Sequence, residues 1–158
     1  MVVSITKLTG NSFGTDVNLT NVAVANSFVH GTDSYQMNRY VCHGTTTNGT
    51  ETEIFLIHSS SGRIPVTANS TIFFEASIVA CSTGESASWH LKGCADNHNG
   101  TTADVGDIYE IAVAADDLNW SVDIRADDTN DSIDVYCTGV ANKTVNWTAV
   151  VNTIEVIP

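Results

Sequence analysis

Leu118-Asn-Trp-Ser-Val-Asp-Ile-Arg125 alternates without a break: Leu118, Trp120, Val122 and Ile124 point one way, Asn119, Ser121, Asp123 and Arg125 the other. Neighbouring side chains of a strand project to opposite sides of a sheet, so this period of two with one apolar face predicts a half-buried antiparallel strand. The next segment repeats it, with Ile133, Val135 and Cys137 alternating with Asp134, Tyr136 and Thr138. Between them, Ala126-Asp-Asp-Thr-Asn-Asp131 has the Asp and Asn content of a tight hairpin turn. Near the C-terminal end, Val145, Trp147, Ala149 and Val151 form an apolar face against Thr144, Asn146, Thr148 and Asn152.

Upstream, Thr71-Ile-Phe-Phe-Glu-Ala-Ser-Ile-Val-Ala80 is apolar on both faces for much of its length, as expected of a central strand covered by another layer or by a neighbouring subunit. Ser82-Thr-Gly-Glu-Ser86 should turn it back into a strand over 87–92. Further strands are predicted around 51–58, 62–66 and 107–114, and in the first fifty residues around 2–8, 22–29 and 35–43. No stretch has a helical period. Eight to ten short strands separated by turn signals predict an all-β protein, an antiparallel β-sandwich of jelly-roll-like type. It reads as one continuous domain, with N-terminal strands or an extension over 1–50 and a sandwich core over 51–158.

Composition agrees and excludes several functions. Fourteen Asn, twenty Thr and fourteen Ser among 158 residues suit turns and the solvent faces of strands, and disfavour helix interiors. Six Lys and Arg against eighteen Asp and Glu give a net charge of −12, which cannot supply the basic stripe that nucleic acid or an anionic membrane surface demands. No export signal or membrane-spanning apolar run is expected from the sequence. Cys42, Cys81, Cys94 and Cys137 are widely spaced without a paired-ligand pattern, and read as free, mostly buried thiols. A turn near Gly84 would place Cys81 opposite Ser88 and not opposite Cys94.

The order and spacing of several segments resemble a domain found in tailed-bacteriophage virion proteins, of the tail-fibre and capsid decoration type. They are Thr52-Glu-Ile-Phe-Leu56, Ala80-Cys-Ser-Thr-Gly84, Lys92-Gly93, Asn99-Gly-Thr-Thr-Ala-Asp-Val-Gly106, Trp120-Ser-Val122, Ala126 to Asp131, Thr138-Gly139, Lys143-Thr-Val-Asn-Trp-Thr-Ala149 and Thr153-Ile-Glu-Val156. The likeness runs over about two thirds of the chain, from 52 to 156. Cysteines at 81, 94 and 137 depart from it, standing where such domains carry an aliphatic or a basic residue. What the resemblance implies is a virion β-sandwich that assembles as a homotrimer. A chain that begins at Met1 and ends just past the domain is expected to be free-standing, which favours a capsid decoration (cement) protein binding the phage major capsid protein. Its expected place is the virion surface, on the capsid exterior, after synthesis in the host cytoplasm. The alternative is a short tail-fibre or receptor-binding module recognising a host surface glycan.

Catalytic, cofactor and metal sites are not expected. Asp116, Asp117, Asp127, Asp128, Asp131 and Asp134 could furnish an acid/base pair, but they are assigned to predicted turns, where Asp accepts backbone hydrogen bonds. Nucleophile-elbow, Walker A and zinc-protease motifs are missing, so the chain is not read as an enzyme. Asp127-Asp-Thr-Asn-Asp131 is oxygen-rich, but lacks the Gly and distal Glu of an EF-hand loop. His30, His43, His58, His90 and His98 are scattered, and Cys42 and His43, as strand neighbours, would point to opposite sides. Trp89, Trp120 and Trp147 fall on apolar faces and are assigned to the core rather than to sugar binding. Asn-x-Ser/Thr occurs at Asn18, Asn48, Asn69, Asn99, Asn119, Asn130, Asn142 and Asn146, reflecting the abundance of these residues in turns and on exposed strand faces.

Overall fold

The computed structural model describes residues 30–32 and 35–158. The strands predicted over 2–8 and 22–29 lie outside them. The described residues form eleven strands and no helix: β1 (His30–Thr32), β2 (Tyr35–Thr46), β3 (Thr52–Leu56), β4 (Ile64–Pro65), β5 (Ser70–Ser82), β6 (Glu85–His98), β7 (Thr101–Asp104), β8 (Tyr109–Ala115), β9 (Ser121–Asp127), β10 (Ser132–Thr138) and β11 (Val145–Val156). All pairings are antiparallel. The expected all-β antiparallel sandwich is what the chain forms, with more strands than expected.

A large layer runs β1–β2–β11–β5–β6, and β6 carries β7 and β8 on its far edge. A small layer runs β9–β10, with β3 and β4 on the other side of β10. β3 joins the layers by also pairing with β2, so the sheet curls over on itself. β2, from the segment read as N-terminal strands, pairs with β11 over twelve residues.

The core lies between the layers and is built by alternation. Ile72, Phe74, Ala76, Ile78 and Ala80 of β5, Val145, Trp147, Ala149 and Val151 of β11, and Val122, Ile124, Ile133, Val135 and Cys137 of β9 and β10 are all buried. The three tryptophans meet there. Trp147 lies 5.7 Å from Trp89 and 5.9 Å from Trp120, centroid to centroid. These are tilted aromatic contacts that add to the large area each ring buries. Trp147 also donates its Nε1–H to Thr46 Oγ1 at 2.9 Å, so its one polar group is satisfied inside the core.

Two hairpins depend on turn chemistry. Asn99 and Gly100 both have positive φ (57° and 76°), as a two-residue type I′ turn requires, and this turn extends β6 to His98 and adds β7. Thr83-Gly84 joins β5 to β6, with Gly84 at φ 83°. The register it sets pairs Cys81 with Ser86, not with the expected Ser88, because the loop holds only two residues. At Gly93 the reason for glycine is close approach: a Cβ there would lie 2.7 Å from Phe74 Cζ and 3.0 Å from Ile108 Cγ1.

Three further expectations need correction. Leu118 does not face the core but is 90% exposed. The chain turns at Asp117, which accepts the Asn119 N–H at 3.0 Å and, through its carbonyl, the Trp120 N–H at 3.3 Å, so alternation begins only at Trp120. Asp134 sits mid-strand in β10 and is buried, rather than in a turn. The four thiols are free, but only Cys42 and Cys137 are buried; Cys94 is half-buried and Cys81, on the outer face of β5, is exposed.

Truncating the central ring should be costly: Trp147→Ala is expected to lower the unfolding free energy by about 3–5 kcal/mol. Gly93→Ala should cost about 1–3 kcal/mol through overpacking against Phe74. Urea titrations at constant m-value measure both, and a Trp147→Ala loss below about 1 kcal/mol would contradict the packing described.

Candidate functional site

Apart from Asp134 in β10, the carboxylates singled out by sequence are occupied in holding turns. Asp127 accepts the Thr129 N–H (2.7 Å) and the Asn130 Nδ2–H (2.6 Å). Asp128 accepts the Thr102 N–H at 2.7 Å, while Asp131 accepts from Thr102 Oγ1 (2.8 Å) and Asn97 Nδ2 (3.0 Å). The β9–β10 turn is thereby tied to the β6–β7 hairpin, and Asp104 accepts the Ala126 N–H at 3.1 Å beside it. These bonds close the curled sheet along its open edge. Asp116 accepts the Ser86 N–H at 2.8 Å, and Asp117 accepts from Asn119 and lies 3.6 Å from Lys143. Cys42 points into the core while His43 points out, 3.4 Å from Thr148 Oγ1, so the two do not converge. Among the described residues, no three His, Cys, Asp or Glu side chains are grouped to hold a metal ion.

Register also assembles a charged cluster that no single segment announces. On the outer face of the small layer, Glu53, Tyr136 and Asp123 are cross-strand neighbours, as are Asp134 and Arg125. Arg63 bridges Glu53 (2.7 Å) and the buried Asp134 (3.3 Å), and Arg125 bridges Glu51 and Asp123 at 2.6 Å each while stacking 3.7 Å above the Tyr136 ring. Asp134 also accepts from Ser132 Oγ at 2.7 Å. Burial raises the pKa of Asp134 and of Glu53 against the opposing effect of their hydrogen bonds. The Arg125 hydrogen bond lowers that of Glu51. The only sequence signal was the period-two polar spacing of Glu51-x-Glu53, Asp123-x-Arg125 and Asp134-x-Tyr136. Chemically, the cluster is engaged with itself: its two guanidinium groups bridge all four carboxylates, and the Asp134 side chain has no exposed surface on which to meet a substrate.

The large layer carries the other distinctive surface. Along most of β11 the apolar side chains face inward, but past Asn152 the polarity reverses. Thr153 and Glu155 are buried, while Ile154 and Val156 are 47% and 56% exposed. Glu155 is held inside by the Thr67 N–H (2.7 Å) and Ser70 Oγ (2.6 Å); burial, and secondarily the Glu155 charge, pushes the Tyr40 phenol up to about 12. The neighbouring strands follow suit: Asn38, Ser70 and Asn97 are buried, whereas Tyr35, Met37 and Phe73 are exposed. Met37, Ile154 and Phe73 are direct cross-strand neighbours and form one apolar row on the outer face.

No family model and no curated protein matches the chain. Among solved structures it is similar to the tailspike protein gp49 from Acinetobacter baumannii bacteriophage Fri1, a capsular polysaccharide depolymerase, at 12% identity and a TM-score of 0.47. The likeness covers 84% of this chain and 20% of that one, so the chain spans about a fifth of that protein's length.

The raised pKa values of Asp134 and Glu53 set the sign of a pH effect. Where a carboxyl's folded pKa exceeds its unfolded value, the folded state holds the extra proton, so these groups reduce stability as pH rises above the ordinary carboxylate range of about 4. Asp134→Asn removes one such contribution. Its stability relative to the unmodified protein is therefore expected to improve between pH 4 and pH 7, as read from urea midpoints at each pH, and a pH-independent difference would contradict the assignment.

Proposed function

We propose that the chain is a structural protein of a tailed-bacteriophage virion, a capsid decoration protein that acts as a homotrimer on the capsid exterior by binding major capsid protein subunits. The observation that carries this reading is where the resembling segments fall. Lys143 to Ala149 and Thr153 to Val156 belong mainly to β11 at the middle of the large layer, and Ala80 to Gly84 forms the end of β5 and its turn. The likeness thus follows the strands and turns that frame the sandwich, reaching β3, β6, β7 and β9 as well. The carboxylates of its small layer and of the β9–β10 turn are engaged in ion pairs and hydrogen bonds, while one outer face exposes an apolar row. Such a module suits cementing, which needs rigidity and a water-excluding footprint. The charge of −12 on each copy would keep free trimers from aggregating and complement a basic patch on a capsid.

Purified protein added to phage heads lacking it should cosediment saturably, raise the temperature at which the heads open, and bind more weakly as salt rises. Failure to cosediment with heads, or binding to tails alone, would overturn the decoration role.

A further inference from the structure

The reversed end of the large layer exposes five large apolar side chains on three adjacent strands: Tyr35 and Met37 on β2, Phe73 on β5, and Ile154 and Val156 on β11. They cannot be turned inward. A one-residue slip would exchange every side chain between faces, and β11 is locked by twelve paired positions to β2 and eleven to β5. The inner side at this end is already filled by Asn38, Ser70, Thr153 and Glu155. The row Met37, Ile154 and Phe73 itself lines a groove of about 770 Å³, together with Arg39, Asn152 and Glu75, one from each strand. A contiguous apolar surface with a charged border is the mark of an interface.

We infer that copies of this chain pack together through this face, about an axis parallel to β11, with Arg39 of one copy against Glu75 of the next. The inference rests on the homo-oligomer proposed above and specifies its interface. Charge arrangement selects both occupant and axis. Arg39 and Glu75 flank Asn152 on opposite sides, two strand spacings or about 9.5 Å apart, and are not paired with each other within one copy; Glu75 is turned to His90 instead. Arg39 makes no ion pair among the described residues, and Glu75, though 2.9 Å from His90, leaves 44% of its side chain exposed. Rotation about an axis parallel to β11 brings β2 of one copy beside β5 of the next, whether two copies or three surround it. That places Arg39 on Glu75 and Met37 on Phe73, with Ile154 nearest the axis. A two-fold axis across the strands at the level of Asn152 would instead set Arg39 against Arg39 and Glu75 against Glu75, which like-charge repulsion disfavours, and one at the level of Ile154 would set Arg39 against Tyr35 and Glu75 against Thr71, leaving both charges without an opposite partner.

Sedimentation velocity on the full chain tests this. The unmodified protein should sediment as an oligomer and Ile154→Asp as a 16.8 kDa monomer with unchanged circular dichroism. Arg39→Glu and Glu75→Arg should each weaken association roughly tenfold or more, and the double variant should recover most of that loss, because the pair is restored with its signs exchanged. An unmodified protein that is monomeric, as when residues of the same chain cover the face, overturns both the oligomer and this interface. An oligomer indifferent to Ile154→Asp, or single charge variants not rescued by the double, overturns this interface alone. Should Ile154→Asp misfold, the charge-exchange set decides. Capsid cosedimentation is a separate readout: a monomer that still binds heads would preserve the virion reading while removing the interface.

Discussion

Everything in this molecule hangs on the position of β11, the last strand in sequence and the middle strand of the large layer. Backbone hydrogen bonds tie it to β2 on one side and to β5 on the other along nearly its full length. With both registers fixed, each side chain of three strands is assigned to one face. That assignment puts Trp147 at the meeting point of the aromatic core and holds Glu155 inside. It also forces Ile154 and Val156 outward. The exposed apolar row is therefore a consequence of the same constraint that builds the core; behind it the Glu155 carboxylate is held by the Thr67 N–H and Ser70 Oγ, while Asn38 Oδ1 and Thr153 Oγ1 are buried without a hydrogen-bond partner among the described residues.

The sparse charges of the described residues are spent mainly on closing the sandwich and decorating its small layer. Asp128 and Asp131 stitch one hairpin to another, and Arg63 and Arg125 neutralise carboxylates drawn from three strands. Exposed pairs of this kind contribute little each to stability. Their effect is to leave the carboxylates of the small layer already paired. The cations that remain without an ion pair among the described residues, Arg39 and Lys92, both lie on the outer side of the large layer, where Glu75 separates them along the sheet.

Alternation made the fold class and most of the core legible in the sequence, since Trp120, Val122, Ile124, Val145, Trp147 and Val151 all lie where a period of two puts them. It failed at Leu118, where a side-chain turn at Asp117 competes with strand geometry. It was silent on strand order, because nothing local tells β11 to insert between β2 and β5. The reversed end was hidden for a related reason: beyond Asn152 the apolar residues sit on the outward phase, so the pattern looks like the end of a strand although the backbone continues to Val156. β5 was the exception. Its two-sided apolar character pointed to a cover by another layer or by a neighbouring subunit, and Phe73 and Val79 are the exposed side chains responsible. The charged cluster on the small layer required cross-strand register and had no signature within any one segment.

The most direct measurement is hydroxyl-radical footprinting of the intact protein at assembling concentration, with oxidation at each side chain normalised to the unfolded chain. If the outer face of β2, β11 and β5 is buried between copies, Met37 and Phe73 will be strongly protected and will regain reactivity on dilution. Leu118, 90% exposed in the turn before β9 and far from that end of the large layer, will stay reactive throughout. Met37 and Phe73 showing no more protection than Leu118 at every concentration would contradict the interface.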